Sequence, residues 1–160
     1  MDIVTSKPQI VLNKPEAPLY HVLIVDDSNI ELEIMMNGLS DHFSVSITSD
    51  ADEALRIAHR TPQPDLILLD IVMPEIDGYS LCSTLKHNYH TQNIPIIFVT
   101  SSNDTSSIIR GFEVGGVDYM TKPLKLPELS IRIQTHIHLK NKSTQLESLA
   151  YLDPLTRIPN

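Results

Sequence analysis

The 160-residue chain contains little of what marks a disulfide-bonded, membrane-spanning or nucleic-acid-binding protein. Its one cysteine, Cys82, excludes a disulfide framework and suits a reducing compartment, so we expect a cytoplasmic protein. Lysine and arginine number 12 against 20 aspartate and glutamate residues, and they form no basic cluster. The resulting formal charge of -8 argues against nucleic acid as a partner.

No apolar stretch is long enough to be a membrane span or the core of a signal peptide. Residues 1–19 contain three prolines, and we interpret them as a flexible leader. The chain also lacks the standard glycine-rich phosphate loops, so nucleotide binding through such a loop is not supported. The histidines do not form a metal site, because His136 and His138 diverge on a helix and His87 and His90 have no third ligand nearby.

Short apolar runs recur along the chain. Three of them are continuous rather than alternating, which is typical of strands covered on both faces in a parallel sheet. Two weaker runs also have the composition of strands. The five predicted strands are His21–Val25, Val45–Thr48, Leu66–Leu69, Ile96–Val99 and Val117–Thr121.

The segments between these strands have apolar residues at helical spacing, so strand and helix alternate. With short connections and right-handed crossovers, this order predicts an α/β protein with a doubly wound, five-stranded parallel sheet. In such a sheet, ligands bind in a crevice at the carboxyl ends of the strands. The apolar positions expected to face the sheet are Ile30, Ile34, Met35 and Leu39, then Ala51, Ala54, Leu55 and Ala58, then Leu81, Cys82 and Leu85, and finally Ile108, Ile109 and Phe112.

The last predicted helix is longer than a domain of this size needs. Pro127 is typical of a helix start, and no breaker follows before Pro154. The second half of this helix is largely polar, with a thin apolar stripe at Leu139, Leu146 and Leu149. Such a stripe suits a helix that projects from the domain and pairs with a second copy of itself.

Polar side chains follow four of the predicted strands at the point where each strand ends. Asp26 and Asp27 follow the first strand, Asp70 the third, Thr100 the fourth and Lys122 the fifth. Because the carboxyl ends of parallel strands share one edge of the sheet, we expect three carboxylates, a hydroxyl and an ammonium group to converge on one pocket.

Three carboxylates at one point need a counterion. Two like charges about 4 Å apart repel by roughly 4 kcal/mol at an effective dielectric constant near 20, so the cluster would hold a proton or a cation, and Lys122 alone cannot balance it. Oxygen ligands with room for water favour Mg²⁺. A carboxylate beside Mg²⁺ can attack phosphorus and become an aspartyl phosphate. Asp70, which ends the central strand before a turn-rich loop, is the best candidate.

Each of these residues also has an ordinary structural explanation. Asp26 and Asp27 could cap the following helix, Asp70 could be a turn residue, Thr100 a hydroxyl at a strand end and Lys122 a solvated charge. Their joint placement on one edge of the sheet favours a phosphoryl-transfer site over separate coincidences.

Four motifs together resemble the landmarks of the receiver domain of bacterial two-component response regulators. They are VLIVDD, LILLDIVMPEIDGYSLC, IIFVTSS and GGVDYMTKP, which occur in the family's order and spacing over about residues 20–138. The resemblance implies a flavodoxin-like sheet with strand order 2-1-3-4-5 and phosphorylation by a sensor histidine kinase or a phosphotransfer protein. Gly115, Gly116 and Val117 depart from the Gly-Ala-Asp that is more common in the family, at a loop outside the site.

The same resemblance implies how the acids act. Asp70 is the phosphoacceptor, and Asp70, Asp27 and the backbone carbonyl of Val72 are ligands of Mg²⁺. Asp26 assists from beside the ion or through a water molecule.

The resemblance also implies partners for the phosphoryl group. Thr100 and Lys122 contact its oxygens, and Tyr119 changes rotamer when Thr100 moves. The peptide bond between Lys122 and Pro123 is expected to be cis, which agrees with the rule that cis bonds belong to proline.

Residues 146–160, LESLAYLDPLTRIPN, are similar to the start of the diguanylate cyclase domain that is named for its Gly-Gly-Asp/Glu-Glu-Phe signature. Arg157 and Ile158 stand where Gly and Leu are usual, and the signature itself is absent from the 160 residues. The similarity implies a receiver domain at residues 20–138, a linker helix at residues 139–152 and the start of an output domain at residues 153–160.

We therefore expect a phosphorylation switch and no enzyme within these residues. Phosphorylation of Asp70 would promote a homodimer and activate a diguanylate cyclase in cyclic di-GMP signalling. Two alternatives are open. A Mg²⁺-dependent phosphatase with an aspartyl nucleophile commonly wants a second acid two residues after the first, where this chain has Val72. A degenerate receiver that only dimerises would not need intact site residues.

Overall fold

The computed structural model describes residues 19–75 and 77–151, in which five strands alternate with five helices. The bounds of the strands lie within one residue of the predicted ones. The strands are β1 (His21–Val25), β2 (Ser44–Thr48), β3 (Leu66–Leu69), β4 (Ile96–Thr100) and β5 (Asp118–Thr121). The helices are α1 (Asn29–Leu39), α2 (Ala51–His59), α3 (Gly78–Lys86), α4 (Thr105–Glu113) and α5 (Leu126–Tyr151).

The strands form one parallel sheet in the order β2-β1-β3-β4-β5, which confirms the predicted flavodoxin-like topology. The register aligns the last residue of β1, Val25, with Leu69 of β3 and Thr48 of β2. The carboxyl ends of these strands therefore lie level, and the loops that follow them meet at one edge of the sheet.

A polar side chain begins each of the first four helices. Ser28, Asp50, Asp77 and Asp104 are the N-cap residues, and each accepts a hydrogen bond from a backbone N–H in the first turn. Because an N-cap satisfies donors that the helix leaves free, these residues fix where each helix starts at the carboxyl edge of the sheet.

Two hydrophobic clusters cover the two faces of the sheet. On one face, Leu23, Ile67 and Phe98 pack with residues of α2 and α3. On the other face, Ile24 and Leu68 pack with residues of α1 and α5. The central strands β3 and β4 are buried along their whole length, as predicted for parallel strands that are covered on both sides.

Helix α1 faces the sheet with a set of residues that agrees only in part with the predicted one. The spacing predicts that Ile30 and Ile34 are buried, but their exposed fractions are 72% and 55%. Met35 and Leu39 are buried as predicted, and Leu32 is buried in place of the two isoleucines. Both sets have helical spacing, and such spacing does not fix the rotation of a helix about its axis.

The prediction that α4 buries Ile109 and Phe112 is also wrong, because both side chains are about half exposed. The helix approaches the sheet through Gly111, its buried residue. A Cβ atom at this position would lie 3.2 Å from the Phe98 ring and 3.3 Å from the Tyr119 ring. The glycine therefore allows a close approach that turns the larger side chains of α4 towards solvent.

Helix α5 continues without interruption for 26 residues, which confirms the prediction of one long final helix. Leu129, Ile133 and Ile137 in its first half are fully buried against the sheet. Beyond them Leu139 and Leu146 are 57% and 66% exposed. The second half of α5 thus presents apolar side chains that the sheet does not cover.

The predicted leader and the predicted start of an output domain fall on residues 1–18 and 152–160, outside the described part of the chain. Among residues 19–75 and 77–151, none of the helices has the length and hydropathy that a membrane crossing requires.

Asp118 connects the start of β5 to α5. Its carboxylate accepts hydrogen bonds from Arg132 and His136 at 3.0 Å and from the backbone N–H of Tyr119 at 2.8 Å. Burial would raise the pKa of this carboxyl group, but the hydrogen bonds outweigh burial and hold the pKa below its usual value. Such a group stabilises the folded protein above its unfolded-state pKa, and this contribution disappears as the pH falls through the folded-state pKa.

Replacing Asp118 by Asn should lower the free energy of unfolding by about 1–2 kcal/mol at pH 7, because Arg132 loses its charged partner. The deficit should begin to shrink as the pH falls below about 4, where Asp118 of the unfolded chain becomes protonated, and should disappear below the lowered folded-state pKa. Urea unfolding between pH 7 and pH 3 measures both effects. Asp41→Asn, which removes an exposed acid after α1, is the matched control and should change the free energy by less than about 0.5 kcal/mol. A deficit that does not vary with pH would contradict this role of the carboxylate charge.

Candidate functional site

Three aspartates meet at the carboxyl edge of the sheet. Asp26 and Asp27 follow β1, and Asp70 follows the neighbouring strand β3. The Asp70 backbone N–H donates to the carbonyl of Val25 at 2.9 Å, so the hydrogen bonding between these strands extends to Asp70. One carboxylate oxygen from each aspartate lies within 4.8 Å of the other two. The structure therefore brings together the three acids that the sequence places on one edge.

The capping explanation for the acid pair is wrong, because the N-cap residue of α1 is Ser28. Asp26 instead accepts a hydrogen bond from the backbone N–H of Ser28 at 2.9 Å. Asp26 and Asp70 are only 1% and 6% exposed, whereas Asp27 is exposed. Two of the acids are thus fixed in the protein and the third faces solvent.

Burial makes Asp26 and Asp70 weaker acids than an exposed aspartate. It raises the pKa of Asp26 to about 6, against the opposing effect of hydrogen bonds from Ser28 and Lys122. Burial also raises the pKa of Asp70, helped by the negative charge of Asp27 and opposed by the positive charge of Lys122. A protonated or cation-bound cluster is therefore favoured over three bare carboxylates.

Lys122 reaches this cluster from the loop after β5. Its ammonium group donates to Asp26 at 3.0 Å and to Glu31, and it lies 3.6 Å from a carboxylate oxygen of Asp70. Burial alone would lower the pKa of Lys122, but the hydrogen bonds to Glu31 and Asp26 and the charge of Asp70 raise it instead. Lys122 therefore stays positively charged, and the structure confirms its predicted position at the acidic edge. The Lys122–Pro123 bond is cis, as the resemblance implied.

Glu31 belongs to the site, and the sequence analysis missed it. It lies in the first turn of α1, three residues after the N-cap Ser28, and its carboxylate contacts Lys122. The hydrogen bond from Lys122 lowers the pKa of Glu31. The Ser-x-x-Glu spacing could have identified a capping pair, but it would have directed the Glu31 side chain back to the helix end and not to Lys122.

Thr100, the last residue of β4, and Tyr119 of β5 both contact the segment that follows β4. Thr100 is buried, and its hydroxyl oxygen accepts a long hydrogen bond of 3.4 Å from the backbone N–H of Ser102. Tyr119 donates its hydroxyl proton to the carbonyl of Ser102 at 2.5 Å. The carbonyl of Thr100 in turn accepts a hydrogen bond from the backbone N–H of Lys122 at 2.9 Å. Both predicted switch residues are therefore connected to the same short loop.

The loop after Asp70 is held close to the start of α3. Gly78 donates its N–H to the carbonyl of Ile71 at 2.7 Å. A Cβ atom at position 78 would lie 2.2 Å from the carbonyl oxygen of Asp70, so only glycine allows this approach. Val72 lies in this loop, and its side chain is 65% exposed. An open cleft of about 510 Å³ lies beside Asp27, the exposed acid of the cluster, and is lined also by Asp52 and Glu75.

The donor set fits a hard divalent cation. All three clustered side chains offer carboxylate oxygens, and two of them are buried with raised pKa values that a bound cation would relieve. Oxygen ligands with an open side for water match the preferences of Mg²⁺. The Lys122 ammonium group contacts Asp26, Glu31 and Asp70, and one positive charge cannot neutralise three carboxylates.

Comparison with known proteins agrees with this geometry. A family model described as the response regulator receiver domain matches residues 22–134. A Vibrio cholerae protein named as a probable cyclic di-GMP phosphodiesterase is 41% identical over 133 residues, which cover 82% of this chain and 30% of that protein. The response regulator PleD of Caulobacter vibrioides is 33% identical over 120 residues, which cover 74% of this chain and 26% of PleD.

The receiver domain of Francisella response regulator 1452 has the same fold, with a TM-score of 0.68 and 29% identity over 75% of this chain and 98% of that domain. The chain spans less than a third of the length of the two sequence relatives, and the shared part is the receiver region. This protein belongs to the receiver domain family of two-component response regulators.

Proposed function

We propose that the protein is a phosphorylation-activated receiver in which Asp70 accepts a phosphoryl group from a phosphohistidine of a sensor kinase or a phosphotransfer protein. A carboxylate oxygen of Asp70 attacks phosphorus, the P–N bond breaks, and the donor imidazole leaves with a proton. The observation that supports this proposal is the position of Asp70 at the end of β3, beside two further acids and 3.6 Å from the Lys122 ammonium.

The proposed roles follow from charge and hydrogen bonding. Mg²⁺, when bound by Asp27, Asp70 and the Val72 carbonyl, supplies positive charge for the carboxylates and the phosphoryl oxygens. Lys122 adds a second positive charge near the acceptor. Thr100 supplies a hydroxyl donor, and its movement towards the phosphoryl group would disturb the loop that Tyr119 holds through Ser102.

Two features oppose the alternative functions. A phosphatase of the aspartyl type would need an acid at position 72, where the chain has an apolar and exposed Val72. A receiver that only dimerises has no need for two buried acids beside a lysine, because burying their charges costs free energy.

The proposed domain organisation keeps the predicted bounds. A leader at residues 1–19 precedes the receiver at residues 20–138. A linker helix at residues 139–152 follows, and residues 153–160 begin an output domain. The output is proposed to be a diguanylate cyclase because residues 153–160 resemble its first segment. The name of the Vibrio cholerae relative supports a second candidate, a cyclic di-GMP phosphodiesterase.

The proposed assembly is a homodimer that forms on phosphorylation. Leu139 and Leu146 support it, because they lie seven residues apart on the exposed second half of α5. Two such helices can cover each other's apolar stripe. Pairing of the linker helices would bring two output domains together.

Asp70→Asn should abolish incorporation of phosphate from a phosphorylated histidine kinase, because an amide cannot form the acyl phosphate. Radiolabelled phosphoryl transfer measures the effect. Asp52→Asn, which removes an exposed acid from the same cleft, is the matched control and should be labelled like the wild type. Labelling that persists in Asp70→Asn would exclude Asp70 as the acceptor.

Mg²⁺ should raise the melting temperature of the wild-type protein, because a divalent cation relieves repulsion among the three carboxylates. Asp27→Asn should weaken the apparent Mg²⁺ affinity by roughly tenfold or more. Calorimetric melting across a Mg²⁺ titration tests both expectations, and Asp27 is exposed, so the variant should fold. An unchanged melting temperature in the wild type would favour the degenerate receiver.

In the protein with its output region, phosphorylation should increase dimer formation and the synthesis of cyclic di-GMP from GTP. Replacing Leu139 and Leu146 by Ser should remove both increases without affecting phosphate labelling. Sedimentation and nucleotide analysis are the measurements, and Tyr89→Ser, at another exposed hydrophobic residue, is the control. Hydrolysis of cyclic di-GMP would establish the phosphodiesterase output instead, and a monomer at all phosphorylation levels would contradict the dimer.

A further inference from the structure

The Lys122 ammonium group is closer to two other acids than it is to Asp70. It donates hydrogen bonds to Asp26 and to Glu31, whereas its distance of 3.6 Å from Asp70 exceeds a normal hydrogen bond. An ammonium group has three donors, and two of them are used. In this form of the site, Lys122 is therefore directed mainly at residues that do not accept the phosphoryl group.

Glu31 is available to Lys122 because another residue has taken its usual role at the helix end. In a Ser-x-x-Glu capping box, the glutamate accepts a hydrogen bond from the backbone N–H of the N-cap residue. Here that N–H belongs to Ser28, and it donates to Asp26 at 2.9 Å. The other half of the box is kept, since the Glu31 backbone N–H donates to the Ser28 hydroxyl at 3.3 Å. The Glu31 carboxylate is thus free to turn towards Lys122.

The two acids that hold Lys122 differ in mobility. The side chain of Asp26 is 2% exposed, and it is also bound by Ser28, so it cannot follow or release the lysine easily. The side chain of Glu31 is 41% exposed and has one more methylene group. Of the two contacts, the one with Glu31 can break and be replaced by water at lower cost.

We infer that Glu31 is a positioning residue that competes with the phosphoryl group on Asp70 for the Lys122 ammonium group, and so favours the unphosphorylated form of the site. This inference rests on the proposed function, because it requires Asp70 to be the acceptor. On phosphorylation, Lys122 moves from Glu31 to a phosphoryl oxygen, and the Glu31 side chain turns to solvent. Even in this position, the negative charge of Glu31 is close enough to the phosphoryl group to repel it.

The test measures the affinity of beryllofluoride, a phosphoryl analogue, at saturating Mg²⁺ by calorimetric titration. Glu31→Gln keeps the size of the side chain and removes its charge, so it should bind beryllofluoride roughly two- to fivefold more tightly than the wild type. Glu33→Gln makes the same charge change at an exposed position on the same helix, and it should bind like the wild type. Equal or weaker binding by Glu31→Gln, or equal tightening in Glu33→Gln, would overturn the inference.

Salt dependence separates competition for Lys122 from a structural role of Glu31. The advantage of Glu31→Gln should narrow as the salt concentration rises from 20 mM to about 500 mM, because salt screens a partly exposed charge. An advantage that stays constant with salt would identify a structural effect and contradict the inference.

Asp70→Asn distinguishes failure of this inference from failure of the proposed function. If the wild type binds beryllofluoride, Asp70→Asn does not, and Glu31→Gln binds no more tightly than the wild type, the acceptor assignment stands and only the role of Glu31 is wrong. If the wild type does not bind beryllofluoride, both are wrong.

Discussion

Mutual repulsion among three carboxylates is the constraint to which the rest of the site responds. Charges within 4.8 Å of one another interact by about 3–4 kcal/mol per pair at an effective dielectric constant near 20. That is a considerable part of the stability of a domain of this size. The acids remain together because β1 and β3 are hydrogen-bonded neighbours with level carboxyl ends, and the burial of both strands leaves them no alternative position. The sheet therefore holds the acids in an arrangement that a cation or a proton would relieve.

The residues around this cluster divide into fixed and movable groups. Asp26 and Asp70 lie at buried strand ends, whereas Glu31 and Asp27 extend towards solvent. Lys122 lies between them, with its backbone bonded to Thr100 and its ammonium group shared among acids. A change of charge at Asp70 would therefore be transmitted through the movable groups, because the fixed ones cannot adjust.

Sequence reasoning predicted the fold and the acidic cluster for a common physical reason. Continuous apolar runs identify buried parallel strands, and a polar residue that directly follows such a run must lie at the carboxyl edge of the sheet. Asp26, Asp70 and Thr100 could be placed in this way without knowledge of any contact. Lys122 follows one of the two weaker runs, and the regular alternation of strands and helices placed it at the same edge. The prediction depends on strand topology alone, which is why it succeeded for residues far apart in the sequence.

The same reasoning failed where the outcome depends on how a helix is rotated about its own axis, or on which of two side chains makes a given hydrogen bond. Ile30 and Leu32 both fit a helical stripe, and only packing against the sheet decides which is buried. The exposure of Phe112 follows from the close approach of Gly111, which spacing does not reveal. The position of Glu31, three residues after Ser28, fits a capping box and gives no sign of a contact with Lys122. In the folded site Asp26 accepts the hydrogen bond from the Ser28 N–H that Glu31 would accept in such a box, and the sequence does not reveal this exchange.

Helix α5 gives the site a direct structural link to the far end of the molecule. It begins at Leu126, four residues after Lys122, and its 26 residues extend over about 39 Å. Its first half is attached to the sheet through buried Leu129 and Ile133 and through the bond of Arg132 to Asp118. A rigid helix fixed near its start converts a small rotation there into a larger displacement at Leu146. The loop that carries Lys122 and the exposed half of α5 are therefore joined by one continuous helix, whose first half is anchored in the core.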